Sequence, residues 1–153
     1  MRIVIANDHG AVDRKREIRR WLETRGYEIL DLGVDEERRV DYPDKAEEAV
    51  EAWRSRGLDL GILLCGTGIG VSIAANKFTG VRCALVHDSY TARMAKEHND
   101  ANFLAMGGRV ILAEPMDAIL SAFFDARYEG GRHADRLGKI AALEAKVREA
   151  GRL

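Results

Sequence analysis

Leu58 to Cys65 is a nearly continuous apolar run that stops at Gly66-Thr67-Gly68-Ile69-Gly70. A run of this kind fits a central strand of a parallel sheet, covered by helices on both faces. Strand-like and helix-like segments alternate around it. Ile3 to Ala6 reads as a first strand, Asp13 to Arg25 as a helix closed by Gly26, Tyr27 to Leu32 as a second strand, and Asp44 to Arg56 as a second helix. Beyond the glycine-rich loop, which opens another helix, Val81 to His87 is a fourth strand. Ser89 to Glu97 is a helix that Ser89 could cap, and Phe103 to Met106 is a short fifth strand. Pro115 to Ala126 is helical, and a last helix runs from about Ala134 to Ala150 after Gly130-Gly131. Its Leu137, Ile140, Leu143 and Val147 form one apolar stripe. The two prolines, Pro43 and Pro115, each stand where a helix could begin. Strands separated by helices imply βαβ units and a parallel sheet with helices on both faces.

In such a fold the site lies beyond the carboxyl ends of the strands. That rule selects Asn7-Asp8-His9, Cys65 to Gly70, and His87-Asp88.

The 153 residues fit one domain, with no repeat, linker or low-complexity tract. A formal net charge of -1 supplies no field to draw in nucleic acid or an anionic membrane. No apolar run approaches the length of a bilayer span, and Met1 to Ala6 is too short for a signal-peptide core. Two cysteines, Cys65 and Cys83, make no disulfide framework, so the reducing cytosol is the expected compartment.

Cys65 carries the strongest chemical signal. It ends a buried strand, and the loop after it exposes backbone N–H groups at a helix N-terminus, an arrangement that favours negative charge. The other reading is a buried structural cysteine. The loop is a poor dinucleotide fingerprint, because the third glycine position is Val71, although Asp88 has the spacing of a ribose-binding acid. No P-loop lysine follows. Asp8 and His9 could serve a sugar and its phosphate, or Asp8 could simply cap the next helix. His98-Asn99-Asp100 closes a helix, where its dipole also accounts for a histidine. Arg132, His133 and Arg136 sit at a helix start, where cations oppose the dipole. A phosphate would explain them, as would salt bridges to Glu129 or Asp135. Arg109, after Gly107-Gly108, is a further phosphate candidate. The histidines and cysteines show no metal-ligand spacing.

Several separated motifs occur in order: Asp8-His9-Gly10, Asp41-Tyr42-Pro43, Cys65 to Gly70, Ala74-Ala75-Asn76-Lys77, His98 to Asn102, Gly107-Gly108-Arg109, and Tyr128 to His133. Together, over nearly the whole chain, they resemble the ribose-5-phosphate isomerase B family, which also contains the galactose-6-phosphate isomerase subunits. The resemblance implies a three-layer αβα sandwich with a Rossmann-like five-stranded parallel sheet. It implies a homodimer built with the C-terminal helix, paired into tetramers in some members. It also implies a cofactor-free, metal-free aldose–ketose isomerisation of a small phosphorylated sugar through an enediolate, most simply ribose 5-phosphate to ribulose 5-phosphate. Another sugar phosphate, such as an allose, galactose or tetrose phosphate, or a non-catalytic binding role, is the alternative.

Carried over by position, Cys65 is the base and Thr67 assists proton transfer between the two oxygens. The amides around Gly66, Gly68, Ile69 and Gly70 hold the enediolate. Asp8 and His98 are the ring-opening pair, and Asn99 contacts the sugar. His9, Arg109, Arg132 and Arg136 hold the phosphate, some of them from the partner subunit, and Tyr42 lies near the substrate. Some members use a glutamate base farther along the chain. Here Ser72-Ile73 offers no carboxylate, which supports the cysteine type. The chain departs from the family pattern at Ala11 to Lys15 and at Lys45, both near the substrate region, so these positions bear on which sugar is used.

Overall fold

A computed structural model describes residues 1–36 and 38–151. Five strands, β1 (Arg2–Asn7), β2 (Glu28–Asp31), β3 (Leu60–Cys65), β4 (Cys83–Leu85) and β5 (Phe103–Gly107), pair in parallel in the order β2-β1-β3-β5-β4. Six helices connect and follow them: α1 (Val12–Thr24), α2 (Tyr42–Arg56), α3 (Ile69–Ala75), α4 (Ser89–Glu97), α5 (Met116–Phe124) and α6 (Arg132–Ala150).

The strand period of two divides the sheet between two cores. Ile3, Ile5, Ile62, Leu64, Leu104 and Met106 face one side, with Ile18 and Leu22 of α1, Ala92 of α4 and Ile119 of α5. Val4, Ala6, Leu63, Cys65, Phe103 and Ala105 face the other, with Ala49 and Val50 of α2 and Val71 of α3. Every residue of β3 is buried, as its unbroken apolar run requires. The result is the expected three-layer α/β sandwich.

Several boundaries differ from the sequence reading for local reasons. α2 begins at Tyr42, because Pro43 fits the first helical turn, where its missing N–H has no intrahelical duty. β4 is shorter than Val81 to His87. The Arg82 N–H goes to the Asn102 side chain (2.7 Å), so the ladder starts at Cys83. Asp88, not Ser89, caps α4 by accepting the Thr91 N–H (2.6 Å), and that bond holds its carboxyl below the usual range. α6 starts at Arg132, and its Ile140, Leu143 and Val147 are exposed, so the apolar stripe is largely uncovered by its own chain. Among the described residues, no helix is long and apolar enough to cross a membrane.

Phe103 is the largest apolar side chain at a crowded point. It is wholly buried, lies where a side chain at Gly61 would overlap its ring, and meets Trp53 edge-on at 5.3 Å. Phe103→Ala is expected to cost about 3–5 kcal/mol, read as a lower urea midpoint with an unchanged slope.

Candidate functional site

The carboxyl ends of β1, β3 and β5 are sewn together by backbone bonds. Asp8 N–H donates to Leu64 O (3.0 Å), Gly108 N–H to Cys65 O (2.8 Å) and Arg109 N–H to Gly66 O (2.9 Å). The approach is so close that a Cβ on Gly108 would overlap Gly10 O and Ala11. A Cβ on Gly10 would sit 3.2 Å from both Gly66 N and Asp8 Oδ1. Asp8, His9, Cys65, Thr67 and Arg109 are therefore carried on three adjoining turns. Tyr42 joins them across the α2–α3 contact, with its ring against Gly70.

Cys65 is a free, buried thiol. Its Sγ accepts the Gly68 N–H at 3.1 Å, so a fixed donor faces the sulfur. Gly68 has φ of 78°, the left-handed region, and a Cβ there would lie 2.6 Å from Leu85 and 2.8 Å from the Met106 backbone. Only glycine lets the chain turn here and keep that N–H on the sulfur. The exposed Thr67 hydroxyl accepts the Ile69 N–H at 3.3 Å, and the Gly70 amide follows at the start of α3. Burial alone pushes the Cys83 thiol up to about 12, which makes it an inert structural cysteine.

Asp8 is nearly buried, and its Oδ1 accepts the Gly10 N–H at 2.8 Å, so it does cap a short 3-10 turn over His9–Ala11. Its second oxygen is left for other work. His9 and Arg109 line one cavity of about 460 Å³. The Arg109 side chain passes over Gly66, with a Cβ there 3.8 Å from Nη1.

His98, Asn99, Arg132 and Arg136 form a second group elsewhere. α4 leaves the carboxyl edge and runs back, so His98 caps its far end, close to where β5 begins. Arg82, just before β4, donates to Asn99 O and Asp100 O, and Gly61 N–H donates to Asn102 O, which fixes this segment at the amino edge. Glu129 N–H donates to Glu97 O (3.0 Å) and brings the start of α6 to the same place. From Gly61 to Cys65 the sheet rises about 13 Å, so one chain does not bring His98 to its own Cys65.

The His98 ring stacks on His133 with centroids 4.1 Å apart and planes 11° from parallel. His133 is nearly buried, lies 3.4 Å from Glu129 Oε2, and accepts from Arg132 Nε at 3.4 Å. Burial first, then the charges of His98 and Arg132, lower its pKa. Glu129 and His133 belong to the basic cluster read from the sequence, but neither is among the site residues that the family resemblance implies. With His98 they form a group whose ligand atoms lie within 4.8 Å, which the sequence spacing had not suggested. Two parallel rings, however, aim their in-plane lone pairs along parallel planes rather than at one point, which does not suit a shared ion as arranged. Among the described residues, Arg109, Arg132 and Arg136 make no ion pair, so within the basic cluster the salt-bridge explanation applies to His133 and Glu129 alone. His87 is exposed and takes no part in either group.

The chain's residues 3–140 match the family model described as Ribose/Galactose Isomerase. Ribose-5-phosphate isomerase B of Escherichia coli (strain K12) is 42% identical over 145 residues, covering 95% of this chain and 97% of that protein. D-erythrulose-4-phosphate isomerase of Pectobacterium atrosepticum is 40% identical over 144 residues, covering 93% and 94%. Among solved structures, ribose-5-phosphate isomerase B of Clostridium thermocellum superposes with a TM-score of 0.91 at 48% identity, covering 96% of this chain and 99% of that one. The chain belongs to the ribose/galactose isomerase family. It is a sugar-phosphate isomerase of the aldose–ketose class.

Two predictions follow from this geometry. Gly68→Ala is expected to cost at least about 1–2 kcal/mol from the left-handed backbone alone, with further cost from the overlap, and to depress turnover more than substrate binding. Thermal melts and steady-state kinetics on one preparation check both. For His133, the folded pKa lies below the unfolded one, so the unfolded chain binds the proton first as pH falls. Stability should hold above pH ~6.5 and decline from there down to the depressed folded value. The melting temperature of His133→Gln should fall less steeply over that range.

Proposed function

We propose that this chain interconverts ribose 5-phosphate and ribulose 5-phosphate, with Cys65 as the base. The observation that carries this reading is the Gly68 N–H held on Cys65 Sγ beside the turns that bear Asp8, His9, Thr67 and Arg109. A carbon acid next to a carbonyl needs a base, and the oxyanion formed needs fixed donors. In the proposed sequence Asp8 and His98 open the sugar ring. The Cys65 thiolate then takes the proton from C2, and the enediolate oxygen is held by the amides of the Gly66–Gly70 loop. Thr67 passes a proton between O1 and O2, and Cys65 returns its proton to C1. Atoms and electrons balance without a cofactor. His9 and Arg109 bind the phosphate.

The complete set is assembled by two copies of the chain. The division of the expected residues between opposite edges of the sheet supports this, since one edge lacks His98 and the other lacks Cys65. A partner presenting its His98, Asn99, Arg132 and Arg136 group to the Cys65 edge would complete both sites of a dimer under two-fold symmetry. The exposed Ile69 and Ile73 of α3 and Ile140, Leu143 and Val147 of α6 are apolar surface available for such a contact. A second reading keeps the mechanism and shortens the sugar, because one relative is named for a four-carbon sugar phosphate.

Turnover of ribose 5-phosphate, read as ketose formation beside four- and six-carbon aldose phosphates, decides between them. Preference for ribose 5-phosphate is expected. Cys65→Ala should lose roughly 10²–10⁴-fold in kcat while still binding the sugar phosphate. A mixture of Cys65→Ala and His98→Gln chains, refolded together, should regain roughly a quarter of wild-type activity, since half the dimers are mixed and each has one intact site. No recovery would mean that each site is built from a single chain.

A further inference from the structure

Lys15 stands on the inward face of α1, between Val12 and Ile18, a position in step with apolar neighbours. It is 1% exposed. Burying an ammonium costs several kcal/mol unless it is paired, and a buried pair is weak support for stability by itself. Its presence therefore calls for a geometric explanation, and its partners give one. Nζ lies 3.0 Å from Asp31 Oδ2 and 2.7 Å from Asp35 Oδ1. These carboxylates stand at the two ends of the turn that follows β2, so one ammonium closes the turn like a clasp. The Lys15 bond is the main cause of the lowered pKa of the exposed Asp35 carboxyl.

The middle of that turn is fastened to the end of β1. Asn7, wholly buried, accepts the Val34 N–H on Oδ1 (3.0 Å) and donates from Nδ2 to Val34 O (3.1 Å). The same Nδ2 donates to Asp8 O at 2.8 Å. Gly33 is pressed against this amide, since a Cβ there would overlap Asn7 Oδ1 and come within 3.0 Å of the Lys15 stem. Farther along, Val40 N–H meets His9 Nδ1 at 3.5 Å, which leaves Nε2 as the nitrogen free to donate to a ligand. Asp35 and Glu36 line the same cavity as His9 and Arg109.

We propose that Lys15 is a positioning residue for the phosphate end of the site: clasped between Asp31 and Asp35, it holds the turn after β2 against Asn7 and so fixes the Asp8–His9 turn that receives the anion. The inference rests on the reading of His9 and Arg109 as phosphate ligands. It adds a residue that touches no substrate and acts through two others. Because the phosphate is held alike in substrate and transition state, loosening its binding site raises KM more than it lowers kcat.

The test uses inorganic phosphate as the probe, followed through the His9 ring signals by NMR, alongside KM and kcat for the sugar phosphate that is turned over. Lys15→Met, if folded by circular dichroism, should bind phosphate about tenfold more weakly and show its loss mainly in KM. Asp35→Asn removes the exposed partner without emptying the core, so it remains informative if Lys15→Met fails to fold. It should weaken phosphate several-fold, and Asp35→Glu, which keeps the charge, should recover most of that. Phosphate affinity within twofold of wild type in a folded Lys15→Met or in Asp35→Asn would overturn the proposal, as would a wild-type His9 ring that does not respond to phosphate. If wild type turns over none of the sugar phosphates but its His9 ring still responds, more weakly in the variants, the positioning role stands and the substrate assignment alone falls.

Discussion

The architecture of the site depends on one close approach, in which the turns after β1, β3 and β5 pack backbone against backbone at the carboxyl edge of the sheet. Glycines at 10 and 108 permit it, and three N–H···O bonds from Asp8, Gly108 and Arg109 hold it. A side chain at Gly108 would drive the β1 and β5 turns apart, and with them His9 and Arg109. The thiol depends on the same contact. Cys65 O is tied to Gly108, so the direction in which the chain leaves β3 is set, and the left-handed Gly68 can return its N–H to Sγ. Electrostatic help of this kind works because it is in place before charge develops.

The same sheet that gathers one group of residues separates it from the other. A helix following a parallel strand must run back to the opposite edge before the next strand starts, and α4 does so. His98 at its end is thus excluded from its own carboxyl edge by connectivity rather than by any detail of side-chain packing. That placement is what supports the proposed sharing of the site between copies. Arg132 and Arg136 at the start of α6, without an ion pair among the described residues and opposed by the dipole, fit the proposed binding of an anion.

The layers and the strand order's main consequence were legible in the sequence, because β3 is an unbroken apolar run and the site must follow the strand ends. The Cys65 loop was legible for the same reason. Less legible were features decided by partners distant in sequence. Arg82 leaves the β4 ladder because Asn102, twenty residues on, takes its N–H, and no periodicity announces that. Asp88 rather than Ser89 caps α4 because both residue types suit the position and only backbone direction chooses. His133 reads as one more surface cation until the stack on His98 and its burial are visible. Lys15 did leave a trace, a lysine in step with Val12, Ile18 and Leu22 on an otherwise apolar face. Its meaning needed Asp31 and Asp35, which belong to a different element.

Substrate length follows from how these constraints combine. The sulfur is fixed by Gly68, and on the proposed assignment the phosphate end is fixed by the Asp8–His9 turn and Arg109, both on the same backbone knot. The number of carbons between phosphate and reacting carbonyl is then a distance set within one chain to a first approximation. Arginines brought from a partner would move the anion toward or away from the thiol and lengthen or shorten the sugar that reacts. Two chains with the same Cys65 edge can therefore prefer different sugars if their α6 starts are placed differently. On this argument a change of substrate within the fold requires no new catalytic group, only a shift of the second cluster relative to the first, which is consistent with relatives of nearly equal similarity bearing five-carbon and four-carbon names.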